Sequence, residues 1–165
     1  MSVPGAFRSA LLLAACLALP GAAVAQSPTL LESYGRVTTL LSYMTAHVGE
    51  LLLACAAKSV LTEEQTEARY QAYRKRNAAL LERAEAWSQD AEKRLHAQGE
   101  ERAARRVAEE AGLTAMAAAS ARAQGEIGRA SDVRAACAAR LAAIESGRYD
   151  LSGNAEFVDL LQVDP

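Results

Sequence analysis

Apolar residues recur every three or four positions in several stretches of the chain, which is the spacing of one helix face. The first stretch covers about residues 28–58. Its apolar positions are Tyr34, Val37, Leu41, Met44, Val48, Leu51 and Cys55. Ser27 followed by Pro28 is a typical helix start, with an N-cap and then a proline in the first turn. The pattern predicts a first helix here, and Gly49 is tolerated in it if another helix lies against it.

The second stretch predicts one long helix that ends before a turn at Gly99. Its apolar stripe consists of Tyr70, Tyr73, Asn77, Leu80, Ala84, Trp87, Ala91 and Leu95. Asn77 is the polar member of this stripe: a buried amide there would fix the helix register, and the alternative is an edge position in contact with water. We interpret the aromatic members as packing residues, with a ligand groove as the alternative.

A third, alanine-rich helix is predicted over about residues 100–124. Its periodicity is poor, because Val107 and Ala111 agree with one phase and Leu113 and Met116 with another. Gly112 lies between the two phases, so the pattern allows a kink or a break there. Gly125 and Gly128 then close the segment.

Ser131 is a plausible cap for a fourth helix that ends at Gly147. The apolar face of this helix is Val133, Cys137, Leu141 and Ile144. Asn154 predicts the cap of a last short helix over residues 155–162. The layout predicts an all-α domain: an antiparallel, up-down-up-down four-helix bundle with a short C-terminal helix.

The N-terminal segment is typical of a cleavable secretory signal peptide. Arg8 precedes the apolar run ALLLAACLALPGAAVA, whose last residues, Ala23-Val24-Ala25, form a small-x-small cleavage site. A Pro-Gly pair interrupts the run after about a dozen apolar residues, whereas a membrane span needs about 20. We therefore expect residues 1–25 to be removed, leaving one domain over residues 26–165 with no integral membrane span.

A lipoprotein signal is the alternative, because Leu13-Ala14-Ala15-Cys16 also has the form of a lipoprotein processing box. The apolar core before Cys16 is very short and apolar residues continue past it, which favours cleavage after Ala25. Either way the expected location is the periplasm or the outside of the cell. The minor alternative is a lipid anchor at Cys16.

The net charge of the chain does not favour a polyanionic partner. The chain has 18 Lys and Arg residues against 20 Asp and Glu, a net charge of −2. Loss of Arg8 with the signal peptide takes the net charge to −3. So weak a field does not indicate a nucleic acid or an anionic membrane as the partner.

Two cysteines, Cys55 and Cys137, remain after cleavage. An even pair in an oxidising compartment is most simply a disulfide, and two buried free thiols are the alternative. If the helices alternate in direction, the end of the first helix and the beginning of the fourth lie at the same end of the bundle. Both cysteines lie on inward-facing stripes at that end, so the predicted bond and the predicted helix order support one another.

The phrase LTEEQ, residues 61–65, has the form of a capping box. Thr62 is the N-cap residue and Gln65 the third helical residue, whose side chain reaches back to the Thr62 backbone. Two glutamates in the first turn also suit the positive end of the helix dipole. Helix chemistry accounts for every residue of the phrase except Leu61.

LTEEQ also resembles the LTxxQ motif of the Spy-type periplasmic chaperones, which are small exported helical proteins. The resemblance implies a concave surface that holds unfolding client proteins. The family pattern has two such motifs. The nearest second candidate here, LTAMA at residues 113–117, lacks the glutamine.

Catalytic and cofactor signatures are absent from the sequence. His47 and His96 are the only histidines, and no Ser-His-Asp or Cys-His arrangement follows from the spacing. A C-x-x-C-H haem attachment sequence is also missing. Met44 and His47 lie one turn apart and could bind a soft metal ion, but packing of Met44 in the core with His47 at its rim is the simpler interpretation.

We therefore expect a non-catalytic envelope protein without a cofactor that binds another protein through a helical face. A Spy-like holding chaperone with unfolded clients is the first alternative, and a metal carrier or an unrecognised enzyme is the second. The sequence is also compatible with a homo-oligomer.

The export hypothesis predicts a defined N-terminus. Protein recovered from its native compartment should have an intact mass that begins at Gln26, without lipid, because the small-x-small site precedes Gln26. A mass that corresponds to diacylated Cys16 would contradict this.

Overall fold

The computed structural model describes residues 28–165, so the signal segment 1–25 and the predicted cap Ser27 lie outside the described residues. The described part of the chain is helical and contains no strand, which confirms the all-α prediction. A short 3-10 helix, Leu151–Gly153, precedes the last α-helix. The α-helices are α1 (Leu30–Ala57), α2 (Glu63–Arg76), α3 (Ala78–Ala97), α4 (Glu101–Gly128), α5 (Val133–Glu145) and α6 (Ala155–Leu160).

Helix α1 is the central element. It begins with a capping box in which the Thr29 hydroxyl accepts from the Glu32 backbone and the Glu32 carboxylate accepts from the Thr29 backbone. Helix α1 contacts every other α-helix, and none of residues 37–52 is exposed. It is the one helix of the described chain long and apolar enough to cross a membrane, a property that buried core helices share.

Small residues line the contact between α1 and α4, which is the most extensive helix pairing in the fold. On α4 the buried positions include Ala115, Ala119 and Ala123. On α1 a Cβ atom added to Gly35 would lie 2.8 Å from Val107 Cγ1, too close for a side chain. Because these residues are short, the two helix backbones approach closely.

The prediction of one long second helix is wrong, because the chain breaks at Asn77 into α2 and α3. Asn77 is 3% exposed, so its amide is buried rather than at an edge. Its Nδ2 donates to the Tyr73 carbonyl and to Asp150 Oδ1, and its Oδ1 accepts from the Leu151 backbone at 2.7 Å. Asparagine competes in this way with helical hydrogen bonds, and here it ties the break to the segment after α5.

Several helix ends also differ from the prediction. Helix α4 continues through Gly112 without a break and ends at Gly128 rather than near residue 124. Asp132, not Ser131, caps α5, because its carboxylate accepts from the Ala135 backbone. Gly99 and Gly147 adopt positive φ values of 78° and 80° just beyond helix ends, and Asn154 caps α6 as predicted.

Two apolar clusters form the core, one at each half of α1. Trp87, Leu95 and Phe157 belong to the first. The second contains Cys55 and Cys137, which are joined in a disulfide with a Cα separation of 5.8 Å. This separation lies within the range of about 4.4–6.8 Å that is usual for such bonds. The predicted disulfide is confirmed.

The disulfide should contribute strongly to stability. It joins residues 82 positions apart, and closing such a loop stabilises the folded state by about 4 kcal/mol in the chain-entropy model. Reduction, or the double change Cys55→Ser and Cys137→Ser, should lower the unfolding midpoint while most helical circular dichroism remains. An unchanged midpoint after reduction, or titratable thiols in the denatured, unreduced protein, would contradict this.

Candidate functional site

An apolar cleft of about 490 Å³ opens between α1, α2 and α4. Helix α1 supplies its floor, which includes Gly49 and Leu52. Tyr70 of α2 forms one wall and Met116 of α4 contributes to another. Leu53 lies at the edge. The cleft is therefore a concave apolar surface built on three rigid helices, the usual form of a site that receives an apolar group.

Apolar side chains that would normally be buried lie exposed at this cleft. Among the described residues the large hydrophobic side chains with high exposure are Leu53 at 57%, Leu113 at 71%, Met116 at 57% and Val163 at 65%. Leu53 and Met116 line the cleft, and Leu113 lies three residues before Met116 on the same side of α4. Single exposed apolar residues need no explanation, but a group of them at one cleft indicates a contact surface.

The surface of α4 beside the cleft is uncharged. Residues 111–121, AGLTAMAAASA, contain no charged side chain, although 23% of the whole chain is charged. Ala117, Ala118 and Ala121 are exposed here together with Leu113 and Met116. We call these five residues the α4 face. Leu113 and Met116, which did not agree with the first phase of the sequence pattern, are therefore outward-facing residues.

Close contact between α1 and α2 shapes the cleft. A Cβ atom added to Gly49 would lie 3.7 Å from the Tyr70 ring, so the glycine does meet another helix. Tyr70 stacks on Tyr73 with ring centroids 6.3 Å apart. Tyr73 is fully buried, and this burial raises the pKa of its phenol. Tyr73 therefore holds Tyr70 in place while Tyr70 lines the cleft.

The LTEEQ phrase lies at the start of α2 and its hydrogen bonds are those of a capping box. The Gln65 backbone donates to the Thr62 hydroxyl at 3.2 Å, and the Thr62 backbone donates to Gln65 Oε1 at 3.0 Å. Leu61 is 9% exposed and packs in the second core cluster. Residues 113–117, the second candidate motif, lie inside α4 and begin no helix.

The other sequence candidates do not form a chemical centre. His47 is buried at 4% exposure while Met44 is only partly buried, the reverse of the predicted order. His96 is exposed at the end of α3, beside Glu101. No group of three or more His, Cys, Asp or Glu side chains in the described residues is arranged to hold a metal ion. Trp87 is buried and donates its Nε1 hydrogen to the Val163 carbonyl at 2.8 Å.

Comparisons with protein-family models, with curated proteins and with solved structures find no match to this chain.

The capping geometry predicts how Thr62 substitutions behave. Thr62→Ala should lower the free energy of unfolding by about 1 kcal/mol, because the Gln65 backbone loses its acceptor. Thr62→Ser should be nearly neutral, because the serine hydroxyl caps equally well. Chemical denaturation of both variants measures this. A folded Thr62→Ser variant that fails to protect an unfolding client would instead assign the threonine to chaperone function.

Proposed function

We propose that this protein is an exported, non-catalytic helical protein that binds another protein of the cell envelope through the cleft and the α4 face. The observation that carries the proposal is the exposure of Leu53 and Met116 in the lining of one concave site, with Leu113 one turn from Met116 on α4. A partner side chain that enters such a pocket loses its water contacts, which is the usual source of binding energy at an interface.

The chemistry of the α4 face favours a helical partner segment. Ala117 is short and lies one helical turn after Leu113, so a partner helix over this side of α4 can approach closely. Larger side chains of that helix can then enter the cleft beside Met116. Helix-in-groove recognition of this kind uses anchors spaced three and four residues apart. Glu50 and Glu67 line the same cleft and would contact polar groups at its edge.

We infer that the helices form the antiparallel four-helix bundle expected from the sequence, with α2 and α3 together acting as the second helix. Contacts in three places support this. Tyr34, early in α1, donates to Glu92, late in α3, at 2.6 Å. His47 of α1 lies 3.8 Å from Glu126 of α4, and Cys55 of α1 is bonded to Cys137 of α5. Such a bundle leaves the outward side of α4 free for a partner.

Export is part of the same proposal. We infer that the signal segment 1–25 is removed and that the protein acts in the periplasm or outside the cell. The disulfide supports this, because such bonds form and persist in oxidising compartments.

Site-specific photocrosslinking in the native compartment tests the interface. A photoreactive amino acid at Met116 or Leu53 should capture one defined partner, whereas the same group at Val163 should not. Val163 is the matched control, because it is similarly exposed but lies near the C-terminus, away from the cleft. Equal capture from Met116 and Val163, or none from either cleft position, would contradict the proposal.

A charge placed in the interface gives an independent test. Met116→Glu and Leu113→Glu should each weaken partner binding about tenfold or more, because a carboxylate buried without a partner is strongly unfavourable. Val163→Glu should leave binding unchanged. Thermal unfolding of all three should be similar to that of the unmodified protein, since the side chains are exposed.

A Spy-like holding chaperone is the second candidate, and one observation favours it. Thr66 and Glu67, which follow LTEEQ directly, line the cleft. A chaperone should suppress aggregation of unrelated clients at substoichiometric amounts and should yield many different crosslinked products. Capture of one partner, without suppression of aggregation, would exclude this candidate.

A further inference from the structure

A second, polar cavity lies away from the cleft, between α1, α4 and the segment after α5. Its volume is about 210 Å³. Tyr43 and His47 of α1 and Arg122 of α4 line it, together with Arg148 and Tyr149 from the segment after α5. We call this cavity the arginine pocket.

Positive charge exceeds negative charge around the arginine pocket. Glu126 lies 2.8 Å from Arg122 and 3.0 Å from Arg140, so one carboxylate serves two guanidinium groups. Asp150, which also lines the pocket, is paired with Arg76 at 3.2 Å. Arg148 forms no ion pair with any described residue. Two arginines, Arg122 and Arg148, and one carboxylate, Asp150, therefore line the pocket, in a chain whose net charge is negative.

His47 supplies a buried polar group at the wall of the pocket. Its side chain is 5% exposed, and its Nε2 has no hydrogen-bond partner among the described residues. The ring stacks on Tyr43 at a centroid distance of 5.6 Å and meets Tyr149 edge-on at 5.5 Å. Burial lowers the pKa of His47, the nearby Glu126 opposes this, and Arg122 and Arg140 add to the lowering.

We propose that the arginine pocket binds a small organic carboxylate, with its head between Arg122 and Arg148 and its body against Tyr43 and Tyr149. The Arg148 guanidinium, which has no partner among the described residues, can match the planar carboxylate with two parallel hydrogen bonds. Arg122 already donates its Nε hydrogen to Glu126 and an Nη1 hydrogen to Tyr43, so it would contribute charge and the donors that remain. The aromatic rings give an organic body a surface that an inorganic ion cannot use. Charge repulsion between Asp150 and the ligand is weakened, because Arg76 and the Asn77 amide already bind the Asp150 carboxylate.

Nuclear magnetic resonance of the imidazole protons tests the proposal directly, because the chain contains only two histidines. Benzoate, added to the full mature chain, should shift the His47 resonance saturably and raise its apparent pKa, since a bound anion stabilises the imidazolium. His96 is exposed and outside the pocket, so its resonance is the internal control. Acetate should give a weaker shift of the His47 resonance, because it has the carboxylate but lacks the aromatic ring of benzoate.

Two variants separate the pocket from general effects of charge. Arg148→Gln should weaken benzoate binding about tenfold, because it removes a charge-assisted hydrogen-bond donor. Arg134→Gln is the matched control, as Arg134 is an exposed arginine of α5 that does not line the pocket, and it should leave binding unchanged. Both variants should retain the unfolding midpoint, since neither side chain is paired with a described residue.

Three results would overturn the proposal. The first is that benzoate causes no saturable shift of the His47 resonance, and the second is that Arg148→Gln and Arg134→Gln change benzoate binding equally. The third is that inorganic phosphate shifts the His47 resonance while neither benzoate nor acetate does. The arginine pocket shares no residue with the cleft. Failure here would therefore leave the proposed protein-binding function intact, and the reverse also holds.

Discussion

The central position of α1 is the constraint on which the rest of the structure depends. Every other α-helix contacts α1, and residues 37–52 form more than four turns without an exposed position. Glu50 is the one Asp, Glu, Lys or Arg residue in this stretch, and it lines the cleft, because a charge that faced the neighbouring helices would be buried without a partner. The same constraint explains why the facing side of α4 is built from alanine, since large residues there would separate the two longest helices.

Two long-range connections hold the shorter helices around α1. At one place the disulfide joins α1 to α5 within a fully buried cluster. At the other, Arg76 and Asn77 bind the end of α5 at the Ile144 carbonyl and the segment after it at Asp150 and the Leu151 backbone. Buried polar groups stabilise a fold only when their partners are all present. Here the Asn77 side chain bonds to the Tyr73 carbonyl of α2 and to Asp150 and Leu151 of the segment after α5, so the break lies where these two parts of the chain are joined.

This arrangement leaves two surfaces of opposite chemistry. In the middle of α4 alanines face the core, and the large apolar residues of that stretch, Leu113 and Met116, are exposed. At the C-terminal end of the same helix, Arg122 and Glu126 lie next to α1 and the segment after α5. We infer that the apolar surface serves a protein partner and the polar cavity a small anion. The cleft is built on three helices, which hold side chains in place more accurately than loops do, whereas Arg148 and Tyr149 of the arginine pocket lie in the segment after α5.

Some properties followed from the sequence alone because they depend on local chemistry. The spacing of apolar residues predicted α1 and α5, and the alanine-rich composition predicted α4 although its periodicity is poor. The Thr62 and Asn154 caps were visible in neighbouring residues. The cysteine pair was also readable, because only two thiols remain in the expected mature chain. The arginine pocket could not be predicted from the sequence, because its residues, between positions 43 and 154, are adjacent only in space. Only the tertiary structure showed the break at Asn77, the central position of α1 and the outward direction of Leu113 and Met116. The reason is that a periodic pattern indicates a helix face but not how many neighbours that helix has.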